Sequence, residues 1–317
     1  MSELLDDPDP DHPHLQVALD HHSNVLCLEE PLVKDAVKGM SQRGLSLRVD
    51  NFLRESLSQR ADNARDQTRL ASLSLAHTGD WLNVVPCAAL GLQLRAAEFR
   101  VAVLYRLGMP IFQTDGPCVG CDLVRSDRHA DHAISCARQG ERISRHNHLR
   151  DALYNAAVSA QLGPTREDRA LLPLAAEGAR PADVYIPLWA PGSRDAALDV
   201  TVVSPFQLAT FEREAREPGY ALRMRWQQKW SKYGEACKAE GITFMPMVVS
   251  TLGAWEEGAA QVIKRLAKGV VRANGQEDVE VIKHLFGKLS ILLQRDNAGL
   301  VLNRVPSHPE PTITGDL

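Results

Sequence analysis

RPADVYIPLWAPGSRDAALDVTVV, residues 180–203, places two short runs rich in β-branched residues, Asp183–Leu188 and Ala197–Val203, on either side of Pro191-Gly192-Ser193. Apolar runs flanking a Pro-Gly turn predict a β-hairpin. Each run carries one aspartate where a plain buried strand has another apolar residue: Asp183 at the mouth of the first, Asp199 between Leu198 and Val200 in the second. A buried carboxylate is costly unless it is paired, hydrogen-bonded or metal-bound. Two on adjacent strands point to one shared hard cation, Mg²⁺ or Mn²⁺, which takes oxygen ligands from one or two carboxylates plus substrate phosphate. The competing, purely structural use has Asp183 capping a turn and Asp199 paired with a buried arginine.

Outward from this stretch, the 317-residue chain is 44% hydrophobic and 24% charged, ordinary for a globular protein. It has no apolar run long enough for a membrane span and no signal-peptide pattern, so the expected compartment is nucleus or cytoplasm, with no membrane partner. The net charge is −4, yet residues 1–30 hold eight acids and no Lys or Arg, leaving the remainder mildly basic. The expected organisation is a disordered acidic arm over 1–30, a helical region over 31–110, a zinc knuckle over 111–145, an α/β domain over 146–295 and a disordered tail over 296–317. In the helical region Leu45, Leu47, Val49, Phe52, Leu53 and Leu57 recur at helical spacing, and Phe99, Val103 and Leu107 share a face of a later helix.

CVGCDLVRSDRHADHAISC begins at Cys118. Cys118 and Cys121 form a C-x2-C turn, and His132 and Cys136, four apart, stack on one side of a short helix. In a chain without a secretory signal this spacing favours zinc over disulfides, with His129 as the competing ligand. Four protein ligands make a closed, structural Zn²⁺ site.

GERISRHNHLRDALYNAAVSAQLGP follows, a helix whose Leu149, Leu153, Ala156, Ala157 and Ala160 face the core. Its start is crowded with Arg138, Arg142, Arg145, His146, His148 and Arg150, the kind of cluster that holds nucleic-acid phosphates at a helix N-terminus. Glu167 lies between this helix and the first aspartate strand, within reach of becoming a third carboxylate. Past the hairpin, KWSKY supplies Lys229, Lys232 and Tyr233 on one helix, and a lysine near a metal-bound water can stabilise charge in the transition state.

In this order, Cys-x2-Cys, His-x3-Cys, RHNHLRD, a glutamate, RPAD, LDVTVV and KWSKY resemble the C-terminal region of non-LTR retrotransposon polyproteins and their stand-alone relatives. There a zinc knuckle precedes a restriction-like endonuclease of the PD-(D/E)xK fold, a small mixed sheet flanked by helices. The resemblance covers about residues 80–295. It implies that Asp183 and Asp199 hold the divalent metal, with Pro181 one residue further from the first acid than in a strict PD dipeptide. Thr201 stands where the strict motif has lysine, so the lysine comes from Lys229 or Lys232. Likeness to RecB-type nucleases of the same fold adds His146, Glu167, Lys229 and Tyr233 to the site. The implied activity is Mg²⁺-dependent hydrolysis of DNA phosphodiesters, with RNA left open as a substrate and Arg142, Arg145, His146 and Arg150 as nucleic-acid contacts. The alternative is an inactive, zinc-containing DNA-binding protein on a nuclease fold. No Tyr/Phe-x-Asp-Asp polymerase motif occurs.

Overall fold

A computed structural model describes residues 13–26, 41–121, 125–137, 140–166, 182–190, 194–275 and 278–304. Arg138, Glu167, Pro181 and the hairpin turn 191–193 lie outside the described residues, as does 305–317. The chain forms two units, residues 1–63 and 64–317.

The first unit holds α1 (Pro13–Val25) and α2 (Gln42–Gln59). A helix at 13–25 corrects the expectation of a disordered arm running to residue 30. Proline in a first turn costs no hydrogen bond, and Leu19, Ser23 and Leu26 are buried at helical spacing. On α2, capped by Ser41 Oγ accepting from Gly44 N–H, Leu45 is buried while Leu47, Leu53 and Leu57 are exposed. Periodicity located this helix but not how much of its apolar face is covered.

The second unit comprises α3 (Ala64–Leu73), a 3₁₀ turn at Asp80–Asn83, α4 (Ala96–Leu107), β1 (Gly116–Pro117), β2 (Arg125–Ser126), α5 (Asp131–Ser135), α6 (Glu141–Ser159), β3 (Thr165–Arg166), β4 (Val184–Ala190), β5 (Arg194–Val203), α7 (Phe211–Arg216), α8 (Tyr220–Ala239), β6 (Ile242–Ser250), α9 (Glu257–Asn274) and α10 (Asp278–Leu302). The expected boundaries at 110 and 145 do not divide it. Val101 and Tyr105 of α4, Ala133 and Ile134 of α5, and Ala298 and Val301 of α10 share one cluster, and α10 carries helix through the first residues assigned to the tail. On α4 the buried residues are Glu98, Val101, Ala102 and Tyr105, whereas Phe99 and Leu107 are exposed. Glu98 can face inward because it accepts from Arg95 N–H and pairs with the Arg95 guanidinium.

A four-stranded mixed sheet, ordered β3-β4-β5-β6, positions the site. The expected hairpin is β4–β5, antiparallel with Val184 opposite Leu198; β6 then runs parallel to β5, with Asp199 beside Pro246. The parallel step requires a crossover, supplied by α7 and α8. Alternation sorts the side chains. Val184, Ile186, Leu198, Val200, Met247 and Val249 pack with α6, α9 and α10. On the other face Ala197, Phe244, Val203 and Val248 meet Leu222, Trp226, Trp230, Tyr233 and Cys237 of α8. The expected apolar stripe of α6 is buried throughout. Truncating a fully buried leucine such as Leu149 or Leu153 removes about 2–5 kcal/mol.

Candidate active site and metal centre

The knuckle is built from short-range constraints. The two-residue β1–β2 ladder folds Cys118 and Cys121 back toward Asp127, and Cys121 N–H bonds to Cys118 O at 3.2 Å. Asp127 caps α5: Oδ1 accepts the N–H groups of His129 and Asp131, and Oδ2 accepts that of His132 at 2.8 Å. This fixes His132 opposite the thiols. Cys118 Sγ and Cys136 Sγ are 3.9 Å apart, Cys121 Sγ and His132 Nε2 are 3.4 Å apart, and all four ligand atoms lie within 4.8 Å of one another. Zn–S bonds of about 2.3 Å in a tetrahedron require an S···S edge of about 3.8 Å, so the set fits a zinc ion. His132, not His129, completes it. Burial, against the charge of Asp127 and with that of Arg304, holds the His132 imidazole below its ordinary value, favouring the neutral ring that ligates metal. Burial pushes the Cys118 thiol up, which makes an uncompensated thiolate there unfavourable.

Around it, Arg304 beyond the end of α10 pairs with Glu141 at 2.6 Å. A Cβ added at Gly120 would lie 3.0 Å from Arg304 Nε, so the turn between the two cysteines passes bare backbone against this guanidinium.

The acids come together from different elements. Asp199 is 4% exposed on the α8 face of β5. Lys229 reaches it from α8, with Nζ 2.8 Å from Oδ2 and donating to Oδ1 at 3.1 Å. Both carboxylate oxygens thus face one ammonium, buried beneath α8. Asp183 enters β4 directly opposite: its N–H donates to Leu198 O at 2.8 Å and its Oδ2 accepts Val200 N–H at 2.6 Å. From the other face, His146 Nε2 of α6 lies 3.2 Å from Asp183 Oδ1. Burial, only partly offset by Lys229 and reinforced by Asp183, raises the Asp199 carboxyl to about 6. Burial opposes a charged His146, but the hydrogen bond and charge of Asp183, with Asp199 further off, outweigh it and lift the imidazole above its ordinary value.

The structure therefore brings together Asp183, Asp199, His146 and Lys229. Lys232 and Tyr233 stay apart: Lys232 is exposed with Nζ 4.8 Å over the Tyr233 ring, and that ring packs edge-on to Phe244. Among the described residues the Cys₃His cluster alone gathers three or more metal-type side chains.

The arginine cluster needs correction. Arg145 is 3% exposed and donates from Nη1 to Ile134 O at 3.1 Å and to Asn297 Oδ1 at 2.5 Å, joining α5 to α10. Arg150 is 9% exposed and bonds Asp151 at 3.0 Å. Neither presents its charge to a nucleic acid; of the four expected contacts, Arg142 is exposed and His146 is half-buried. Two residues were missed. Asp195 accepts from Tyr185 Oη–H and, at 2.8 Å, from Leu188 N–H, which holds the β4 bulge where Leu188 has φ 53°. A third aspartate in the hairpin was the available signal. Arg225, one helical turn before Lys229, donates from Nε to Thr201 Oγ1 at 3.4 Å.

No protein-family model matches the chain, and no curated protein matches it. No helix among the described residues is long and apolar enough to cross a membrane.

Proposed function

We propose that this chain is a divalent-metal-dependent DNA endonuclease on a PD-(D/E)xK-type core, with a structural zinc knuckle. The observation that carries the proposal is Asp199: a buried carboxylate inside a strand, beside a second acid hydrogen-bonded across the same strand pair, with a lysine against it. Two neighbouring carboxylates with a single ammonium between them leave one negative charge over, which suits a hard cation. Asp183 and Asp199 would hold Mg²⁺ or Mn²⁺, which when bound polarises a phosphate and acidifies water. The order α6-β3-β4-β5-α8-β6, wrapping a mixed sheet between helices, supports the family resemblance.

The chain's own groups divide the work of hydrolysis. Water adds to phosphorus, one P–O ester bond breaks, and the products are a phosphate monoester and an alcohol. The water's proton is lost to solvent and the departing alkoxide gains one. Lys229 sets a fixed positive charge where negative charge grows on the phosphoryl oxygens. His146 holds Asp183 in place through Oδ1 while the Val200 N–H holds Oδ2. Thr201 on β5, in place of a lysine, favours a second reading as a DNA-binding protein without cleavage.

Plasmid nicking with Mg²⁺, run beside Asp199→Ala, separates the two. The wild-type chain nicks and the variant does not. Equal nicking by both overturns the assignment, and DNA binding with no nicking by either establishes the second reading.

A further inference from the structure

Thr201 shares the α8-facing side of β5 with Asp199, two residues on, and is 8% exposed. On α8, Arg225 and Lys229 are four apart and so point the same way. The helix runs opposite to the strand, and the residues meet in two rungs: Lys229 on Asp199, Arg225 on Thr201. The rungs differ in charge. Lys229 is neutralised by a carboxylate; Arg225 is held by two neutral oxygens, Thr201 Oγ1 at 3.4 Å and Gln228 Oε1 at 3.2 Å. Among the described residues no carboxylate lies within ion-pair range of Arg225. Arg65 and Arg69 of this unit each have one, Asp131 and Asp66, whereas half-buried Arg106, like Arg225, is held by a neutral oxygen, Thr78 O. A guanidinium cannot lose its proton, and its planar fork matches two oxygens of one phosphate.

We infer that Arg225, oriented by Thr201 and Gln228, is a binding site for a backbone phosphate of the nucleic acid, one position along from the phosphate at Asp199. This rests on the nuclease reading for the substrate class alone. Bidentate recognition uses the guanidinium N–H groups that Thr201 and Gln228 leave free, and it adds a charge contact that releases counterions. Two phosphates gripped side by side fix the register of the strand over Asp199.

The experiment uses the full-length, zinc-loaded chain carrying Asp199→Asn, with no Mg²⁺ or Mn²⁺ added and no chelator, so that binding is read without cleavage. A fluorescent DNA duplex is titrated at several salt concentrations. Adding Arg225→Ala raises Kd several-fold and lowers the slope of log Kd against log salt by about 1. Arg225→Lys keeps the slope and loses part of the affinity, because the charge survives and the fork does not. Arg225→Ala with unchanged Kd and slope overturns the inference. So does loss of the slope in Arg225→Lys, which marks a structural role instead. If the wild-type chain cleaves while Arg225→Ala binds like its parent, this site falls and the nuclease reading stands. If binding depends on Arg225 but Mg²⁺ elicits no cleavage, hydrolysis falls and the phosphate site stands.

Discussion

In the Cys₃His cluster all four ligands come from 19 consecutive residues and face one another; at Asp199 the partners arrive from α6, the start of β4 and α8. The knuckle is closed on itself, and its geometry suits an ion that is held and never exchanged. The acid site is half-finished in charge: burial raises Asp199 instead of lowering it, although an ammonium sits 2.8 Å away. What sets the two clusters apart is where their members come from: one short stretch of chain at the knuckle, three separate elements at the acids.

That contrast can be broken at either end. The largest effect is expected at the knuckle. Cys118→Ser removes one of four ligands, so zinc measured by metal analysis falls from one per chain to none. The thermal midpoint drops by roughly 10 °C or more, because metal-binding free energy is folding free energy. A variant that keeps its zinc and its midpoint shows that the cluster is not a metal site.

Next comes Arg145, which looked like a ligand contact and is built in as a brace. Arg145→Ala strands Ile134 O and Asn297 Oδ1 and is expected to lower unfolding stability by about 2–3 kcal/mol, measured by urea denaturation. Arg142→Ala, at an exposed position, should stay within about 0.5 kcal/mol. Equal stability of the two would place Arg145 back among the surface cations.

The effect at the acid site is spread over a pH range. In metal-free protein Asp199 ionises at about 6 when folded, against an ordinary value of 3.8. Between these values the folded chain keeps a proton that the unfolded chain has released. Stability must therefore fall as pH rises from about 4 to 6, by up to about 3 kcal/mol. Asp199→Asn removes that slope and is the more stable form at pH 7. A wild-type profile that rises through this window contradicts the raised carboxyl.

How much was legible follows the same division. The knuckle could be read because C-x2-C and H-x3-C encode geometry within a turn and a helix, and His132 was chosen over His129 on spacing alone. The two strand acids were legible because an aspartate interrupts an apolar β run. Lys229 was narrowed only to one of two, since a helix wheel does not reveal which lysine the crossover brings over β5. Arg145 misled for the opposite reason: its acceptor Asn297 lies 152 residues away, and nothing local distinguishes a buried arginine from a surface one. Arg225 was invisible because its partner is an uncharged threonine, noted at first only for what it is not.

Arg145 and His146 are consecutive on α6, and the helix turns them to different tasks. One is bolted to the last turn of the knuckle helix, the other leans on Asp183. A shift of the knuckle would thus swing the imidazole and tilt the first acid with it. The Cys₃His cluster and the proposed hydrolytic site therefore share a single lever arm, and neither can be retuned while the other stays still.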